Sequence, residues 1–196
     1  MALKALKSTL FLLEGVLVLR NKCTIAIEAK VMQKHTLKMI LNGLAEINEY
    51  RDACEGAGTH LNRPLGFYKL VSAAAIEIGV KEESKAYREF LASVLMINPG
   101  IEIDSKVNEY WKDGLEKTPL THGGLTCILA AIAEINSFFD TAATLIGLSP
   151  KKMPALDGLI ECLSFELDRP FQETQKAVKD IKSIEEAYVC VGMLKR

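Results

Sequence analysis

The 196-residue sequence lacks the spacings that mark structural metal sites and disulfide frameworks. It contains five cysteines, an odd number, and no Cys-x-x-Cys pair. Its three histidines are not paired as His-x-x-x-His or as His-Glu-x-x-His. We therefore expect neither a secreted disulfide framework nor a zinc site. The cysteines are typical of reduced thiols that pack as small apolar residues, which predicts the cytoplasm or another reducing compartment.

An excess of charge of one sign is also missing. The sequence has 24 Lys and Arg against 25 Asp and Glu, so its formal net charge is -1. A near-neutral chain has no overall attraction for nucleic acid or for an anionic membrane surface. Walker loops, Gly-x-Ser-x-Gly elbows and dinucleotide-binding glycine patterns are absent too. We expect no nucleic-acid partner and no cofactor, and an enzyme is less expected than a binding protein.

Long uninterrupted apolar runs are scarce, and the first lies near the N-terminus. Leu10–Leu19 follows Lys4 and Lys7, as in a signal peptide, but Glu14 and Gly15 interrupt it and no small-x-small cleavage site follows. Ten residues are too few to cross a bilayer. This run predicts a buried or docking helix, and we expect no transmembrane segment in the chain.

Basic residues are modestly enriched in the first 40 residues. They are Lys4, Lys7, Arg20, Lys22, Lys30, Lys34 and Lys38. A solvated helix face explains such a bias, and contact with an acidic partner is the alternative.

Apolar residues recur with the spacing of helices, and strand or hairpin signals are absent. One stripe falls at i, i+3, i+4, i+7 and i+10, in Leu37, Ile40, Leu41, Leu44 and Ile47. The same spacing returns 88 residues later, in Leu125, Ile128, Leu129, Ile132 and Ile135. Each stripe predicts one apolar helix face, and the whole pattern predicts an all-α protein.

The similarity between these two helices extends beyond apolar spacing. Residues 37–58 align without gaps on residues 125–146, with 8 identities in 22 positions. Both contain Ala-Glu-Ile-Asn, with an Asp four residues after the Asn. We therefore predict an internally duplicated helical bundle of two pseudo-twofold-related repeats, each of about four helices. The repeats would span 1–100 and 101–196, packed as one domain, with the break at Asn98-Pro99-Gly100 between them.

Capping residues and prolines predict several helix starts. Ser149-Pro150 combines an N-cap residue with proline at the first helical position, and Pro170 predicts a further start. Asp104 and Ser105 are candidate caps of a helix in the second repeat.

The duplicated motif Asn-x-x-x-Asp provides the main candidate ligand-binding residues, Asn48 with Asp52 and Asn136 with Asp140. Residues four apart share one helix face, here at the edge of the apolar stripe. Two carboxylates and two amides could meet where the repeats join. The alternative is structural, with each polar pair holding a neighbouring helix or loop through hydrogen bonds. One carboxylate per copy is too few for a good metal site, so no metal is expected.

Three further residues are candidates for binding. His122 precedes Gly123-Gly124 and a helix start, whose free N–H groups could hold a phosphate or carboxylate. Tyr110 and Trp111 are residue types that dominate protein interfaces when they are exposed. Packing between the repeats is the alternative role for this aromatic pair.

These features favour a non-catalytic helical interaction module that self-associates or binds another protein. The first alternative is a carrier that holds a hydrophobic small molecule, such as a lipid or pigment, between its helices. The small residues at 73–75, 130, 131 and 133 could leave room for it, or could let helices approach closely. The second alternative is an enzyme or metal site that uses Asp52 and Asp140.

Overall fold

The computed structural model describes residues 34–100, 102–111, 121–146 and 153–194. Within these ranges the protein contains eight helices and no strand, so the predicted all-α class is confirmed. The apolar run at 10–19 lies outside the described residues. The helices are α1 (34–56), α2 (Leu65–Glu77), α3 (Lys85–Leu95), α4 (Glu102–Tyr110), α5 (His122–Ile146), α6 (Pro154–Glu166), α7 (Phe171–Asp180) and α8 (Ile184–Leu194).

The two predicted apolar stripes form the centre of the core. The stripe of α1 is buried at Leu37, Ile40, Leu41, Leu44 and Ile47. The stripe of α5 is buried at Leu125, Ile128, Leu129, Ile132 and Ile135. Both helix predictions are confirmed, because helical periodicity gathers these residues on one face of each helix.

Helix α5 packs against α2, α6, α7 and α8. Helix α1 contacts α2 and α6 near Gly43, where a Cβ atom would lie 3.5 Å from Leu156 and 3.7 Å from Leu70. The two long helices therefore both cover α2 and α6, and α5 also covers α7 and α8.

Its central position accounts for the apolar composition of α5. Among the described helices, only α5 is long and apolar enough to cross a membrane, over His122–Thr144. Within the bundle, 56% of its most apolar window is buried. Core helices of soluble proteins have the same length and composition, so the absence of a transmembrane segment remains a prediction.

The proline signals agree with the helix starts only in part. The helix start predicted at Pro170 is confirmed, with Pro170 as the N-cap of α7 and Phe171 as its first residue. The start predicted at Ser149-Pro150 is wrong, because α6 begins at Pro154 and Met153 is its N-cap. Residues 147–152 lie outside the described residues. Pro154 is suited to the first position of α6, because the N–H of the first helical residue needs no intrahelical acceptor.

The predicted caps Asp104 and Ser105 are also wrong, because both lie within α4, which begins at Glu102. A carboxylate in the first turn stabilises a helix through the macrodipole, without being its cap. Asp104 additionally pairs with Lys38 of α1, at 2.6 Å between Nζ and Oδ1. The helical chain is interrupted at Asn98-Pro99-Gly100, between α3 and α4, where Gly100 has a φ of +127°. That this interruption separates two repeats stays a prediction.

Candidate interaction surface

Helix α8 is apolar on two sides, and the bundle covers only one of them. Ala187, Val191 and Leu194 face the core and are buried. The exposed apolar residues are Ile184, Tyr188, Val189 and Met193, whose exposed fractions are 39%, 59%, 56% and 61%. We call these four residues the α8 surface. They form the largest concentration of exposed apolar side chains on any described helix.

A groove of about 590 Å³ runs between α7 and α8, along one edge of the α8 surface. Its apolar lining comes from Ala177, Ile181, Val189, Cys190, Met193 and Leu194. Its charged residues are Glu173, Lys176, Asp180, Glu185 and Glu186. An apolar floor thus lies within a rim of four acidic residues and one lysine.

A second depression, of about 440 Å³, lies between the start of α5 and α8. Thr126, Cys127, Ile184, Tyr188 and Val189 contribute to its walls, with Gly123 and Glu185 at its edge. Because Val189 lines both depressions, the α8 surface is continuous from the α7/α8 groove to this α5/α8 groove.

The thiols along α8 are held in their neutral form. Burial, and then the nearby Asp180 carboxylate, raises the pKa of the Cys190 thiol. Burial, and then Glu82, raises the pKa of Cys127. Since the thiolate is the nucleophile and metal ligand, neither cysteine is activated. Within the described part of the chain, no group of three or more His, Cys, Asp and Glu residues is arranged to hold a metal ion.

Another groove of about 650 Å³ lies between α3 and α4. Its lining is more polar, and includes Glu89, Ser93, Lys106, Glu109 and Tyr110.

Asn48 is buried, and its amide is committed to the fold. Its Nδ2 donates to the carbonyl oxygens of Val94 at 3.1 Å and Ile97 at 3.0 Å. Its Oδ1 accepts from Arg63 Nε at 2.9 Å. Arg63 also donates from Nη2 to the Leu95 carbonyl oxygen at 2.9 Å. The two side chains together donate to three carbonyl oxygens at and just after the C-terminal end of α3, where the last carbonyls of a helix lack the usual i+4 N–H partner. The Val94 carbonyl also accepts from the N–H of Ile97 at 3.4 Å. These side-chain contacts support the structural alternative for Asn48.

The other three members of the duplicated motif lie at the surface. Asp52 is exposed and pairs with its neighbour Arg51, at 2.9 Å between Oδ1 and Nη2. Asn136 and Asp140 are exposed on α5. The two halves of the motif thus differ in environment, and a convergent site of two amides and two carboxylates remains a prediction.

His122 contacts α8. Its ring lies 4.3 Å from the Tyr188 ring, centroid to centroid, and its Nε2 is 3.0 Å from the Tyr188 carbonyl oxygen. At the same helix start, Thr121 Oγ1 accepts from the N–H of Gly124 at 3.0 Å. The described contacts of His122 fix α8 against α5, and its role in anion binding stays a prediction.

Tyr110 and Trp111 are half-buried and pack against the core. The Tyr110 ring meets Phe90 edge to face, with centroids 5.0 Å apart, and its hydroxyl hydrogen-bonds Ser93 on α3. These contacts favour packing as the role of this aromatic pair.

The small residues bring helices together. Ala73, Ala74, Ala75, Ala130 and Ala131 are buried. At the closest approach of α2 and α5, a Cβ atom added to Gly66 would lie 2.6 Å from the Ala131 carbonyl oxygen. Close packing thus takes up the space that the carrier alternative would need at this position.

Two glutamates at equivalent positions of the long helices make contacts between helices. The Glu46 carboxylate of α1 accepts from the N–H of Ala155, at the start of α6, at 3.3 Å. The Glu134 carboxylate of α5 pairs with Lys69 of α2. A carboxylate at a helix N-terminus is favourable, because it meets free N–H groups and the positive end of the dipole.

The sequence-based candidates do not include the α8 surface. The signal that could have found it is an apolar segment, 187–194, with no polar face. Such a helix must be buried on all sides or bind something else.

Comparison with known proteins gives no match, whether to a protein-family model, to a curated protein or to a solved structure.

Proposed function

We propose that the protein is a non-catalytic helical interaction module that self-associates through the α8 surface. The observation that carries this proposal is the row of exposed apolar side chains Ile184, Tyr188, Val189 and Met193. All four lie on a helix whose opposite face, Ala187, Val191 and Leu194, is buried in the core. Contiguous exposed apolar patches mark interaction sites, and aromatic residues such as Tyr188 often dominate their energetics.

The side of the surface nearest α5 is suited to a second copy of the chain. Its lining is uncharged except for Glu185. In a twofold dimer the same patch meets itself, so a patch with few like charges avoids repulsion. Binding of a different protein at this surface is the alternative partner.

We further propose that the bundle consists of two repeats, 1–100 and 101–196, related by a pseudo-twofold axis. Reciprocal contacts support the duplication. Helix α1 contacts α6 through Glu46, and α5 contacts α2 through the equivalent Glu134. Near their C-terminal ends the long helices cross where the Tyr50 and Phe139 rings meet edge to face, with centroids 4.7 Å apart. In the alignment of the repeats, Tyr50 corresponds to Phe138, next to Phe139.

Native mass spectrometry of the purified full-length chain tests self-association. We expect a mass of two or more times the 21.6 kDa of the single chain. Tyr188→Glu should shift the distribution to the single chain mass, because it places a charge in the centre of the apolar contact. Met96→Glu is the matched control, since Met96 is 78% exposed but lies outside the α8 surface, and it should leave the mass unchanged. A wild-type chain that is monomeric at all concentrations would overturn self-association.

The same measurement tests a hydrophobic carrier, which is the second candidate. The α7/α8 groove has the volume of ligand sites, about 300–1,000 Å³, and a mainly apolar floor. Excess mass that solvent extraction removes would favour a carrier. We propose the cytoplasm or another reducing compartment for either function, because Cys54, Cys127, Cys162 and Cys190 are free thiols.

A further inference from the structure

The α7/α8 groove has a chemical character that selects its occupant. Its lining combines apolar side chains with four acidic residues, Glu173, Asp180, Glu185 and Glu186, and the single Lys176. Two of the acidic residues have partners within the fold, because Glu173 lies 3.8 Å from Arg169 and Glu186 accepts from the N–H of Lys182 at 2.7 Å. A second copy of the same groove would bring acidic rim against acidic rim, which is unfavourable. The complementary ligand is an apolar segment with basic residues at its ends.

The chain itself contains such a segment, residues 4–22. Its apolar run is Leu10–Leu19, and its basic residues are Lys4, Lys7, Arg20 and Lys22. Residues 1–33 as a whole contain five Lys and Arg against two Glu. As a helix, the ten-residue run would be about 15 Å long, close to the length of the eleven-residue α8 that forms one wall of the groove.

The connection between this segment and the bundle is long enough to reach the groove. Near the start of α1, the Thr36 hydroxyl hydrogen-bonds the Cys162 thiol of α6, and α6 packs against α7. A path from the start of α1 to the groove crosses α6 and α7, which amounts to about 20 Å for two helix widths. The fourteen residues 20–33 can extend over about 46 Å. A short tether gives an effective concentration in the millimolar range.

We propose that residues 4–22 dock in the α7/α8 groove of the same chain. The apolar run covers the groove floor, and the basic residues at its two ends face the acidic rim. Docking covers Met193 and the groove side of Val189. Ile184 and Tyr188, on the α5/α8 side of the α8 surface, stay open to a second copy.

The Cys190 thiol, which lines the groove, is a native reporter of this docking. The full-length chain is treated with iodoacetamide at a concentration at which it is monomeric, and modification of each cysteine is followed by peptide mass spectrometry. Leu13→Glu/Leu17→Glu places two charges on one face of the apolar run. We expect this variant to raise the rate of Cys190 modification at least tenfold. Equal Cys190 rates in the variant and the wild-type chain would overturn the proposal.

Two controls establish that the effect is local. Cys54 and Cys162 are buried in the core and should stay unmodified in both chains, which shows that the bundle remains folded. Leu65→Glu introduces a charge at an exposed apolar residue of α2 and should leave the Cys190 rate unchanged.

Dilution and charge reversal identify the occupant. Protection of Cys190 should not change on tenfold dilution, because the segment belongs to the same chain, whereas loss of protection would indicate a second copy and overturn the proposal. Glu173→Lys/Glu185→Lys should raise the Cys190 rate severalfold, and adding Lys7→Glu/Arg20→Glu should lower it again. A rate that stays high in the combined variant would contradict pairing between the rim and the segment.

The proposal and self-association fail separately. Tyr188→Glu should abolish oligomers while leaving Cys190 protected in the monomer. If Cys190 is protected but no oligomers form, the docked segment is retained and self-association is rejected. If oligomers form but Cys190 is unprotected in the monomer, self-association is retained and the docked segment is rejected.

Discussion

Arg63 and Asn48 hold each other at the C-terminal end of α3, with Arg63 Nε donating to Asn48 Oδ1 at 2.9 Å. Each side chain also donates to carbonyl oxygens of that helix end, Asn48 to Val94 and Ile97 and Arg63 to Leu95. Because Asn48 belongs to α1, this cluster fixes α3 against the first long helix.

Replacing Asn48 by alanine should lower the free energy of unfolding by about 2–3 kcal/mol, because it removes a buried donor to the Val94 and Ile97 carbonyls and the acceptor for Arg63 Nε. Urea denaturation measures this loss. The chain provides its own control, since Asn136 occupies the equivalent position of α5 but is exposed. Asn136→Ala should change stability by no more than about 0.5 kcal/mol. Equal losses in the two variants would contradict the capping role of Asn48.

Gly66 should not tolerate a side chain. A Cβ atom there would lie 2.6 Å from the Ala131 carbonyl oxygen and 2.8 Å from Ile135, so α2 and α5 would have to separate. We expect Gly66→Ala to destabilise the protein by about 1–3 kcal/mol. Gly56→Ala, at the end of α1, is the control because nothing lies within 4 Å of its added Cβ. Thermal or urea unfolding should show that this second substitution is neutral or slightly stabilising.

The pair between Lys69 and Glu134 should contribute more than an exposed pair. Its side chains are 24% and 32% exposed, against 85% and 66% for Lys85 and Glu89 on α3. We expect Lys69→Met to cost about 1 kcal/mol and Lys85→Met less than about 0.5 kcal/mol. Urea denaturation at low and high salt distinguishes them further, since screening weakens the exposed pair more. A larger effect at Lys85 would be inconsistent with the burial of the α2–α5 pair.

Stability should fall at alkaline pH. Burial raises the pKa of the Cys162 thiol above its ordinary value of 9.0. The folded state therefore keeps a proton that the unfolded chain releases. The stabilisation that the neutral thiol provides is fully present below the unfolded pKa and is lost as pH rises towards the folded pKa. We expect the free energy of unfolding to decrease above about pH 9, and to decrease less steeply in Cys162→Ala. Parallel pH profiles of the two proteins would rule out this thiol as a cause.

The parts of the fold that were predictable depend on local repetition. The spacing of the apolar residues alone identified the buried faces of α1 and α5, because residues three and four apart share a helix face. Period cannot separate Asn48 from Asn136, which have the same local sequence. Their difference depends on Arg63 and on the end of α3, which approach Asn48 only in the folded chain. The start of α6 was misplaced for a related reason, since two prolines four residues apart both fit a first helical position.

Which side of α8 is exposed could not be predicted, because the exposure of a side chain depends on the helices that pack around it. Val191 and Val189 are the same residue type, two positions apart, yet only Val191 is covered by the bundle. Sequence indicates that the segment is apolar on all sides, and only the arrangement of α5 and α7 decides which side remains open.

The contact between α2 and α5 also sets an order of events during synthesis. Lys69 and Glu134 are 65 residues apart in the chain. At about 5–20 residues per second, the ribosome adds Glu134 roughly 3–13 s after Lys69. During that interval the apolar face of α2, which α5 will cover, is available to chaperones. The first half of this protein is thus made before the helix that completes it, and its yield in cells depends on how well that interval is protected.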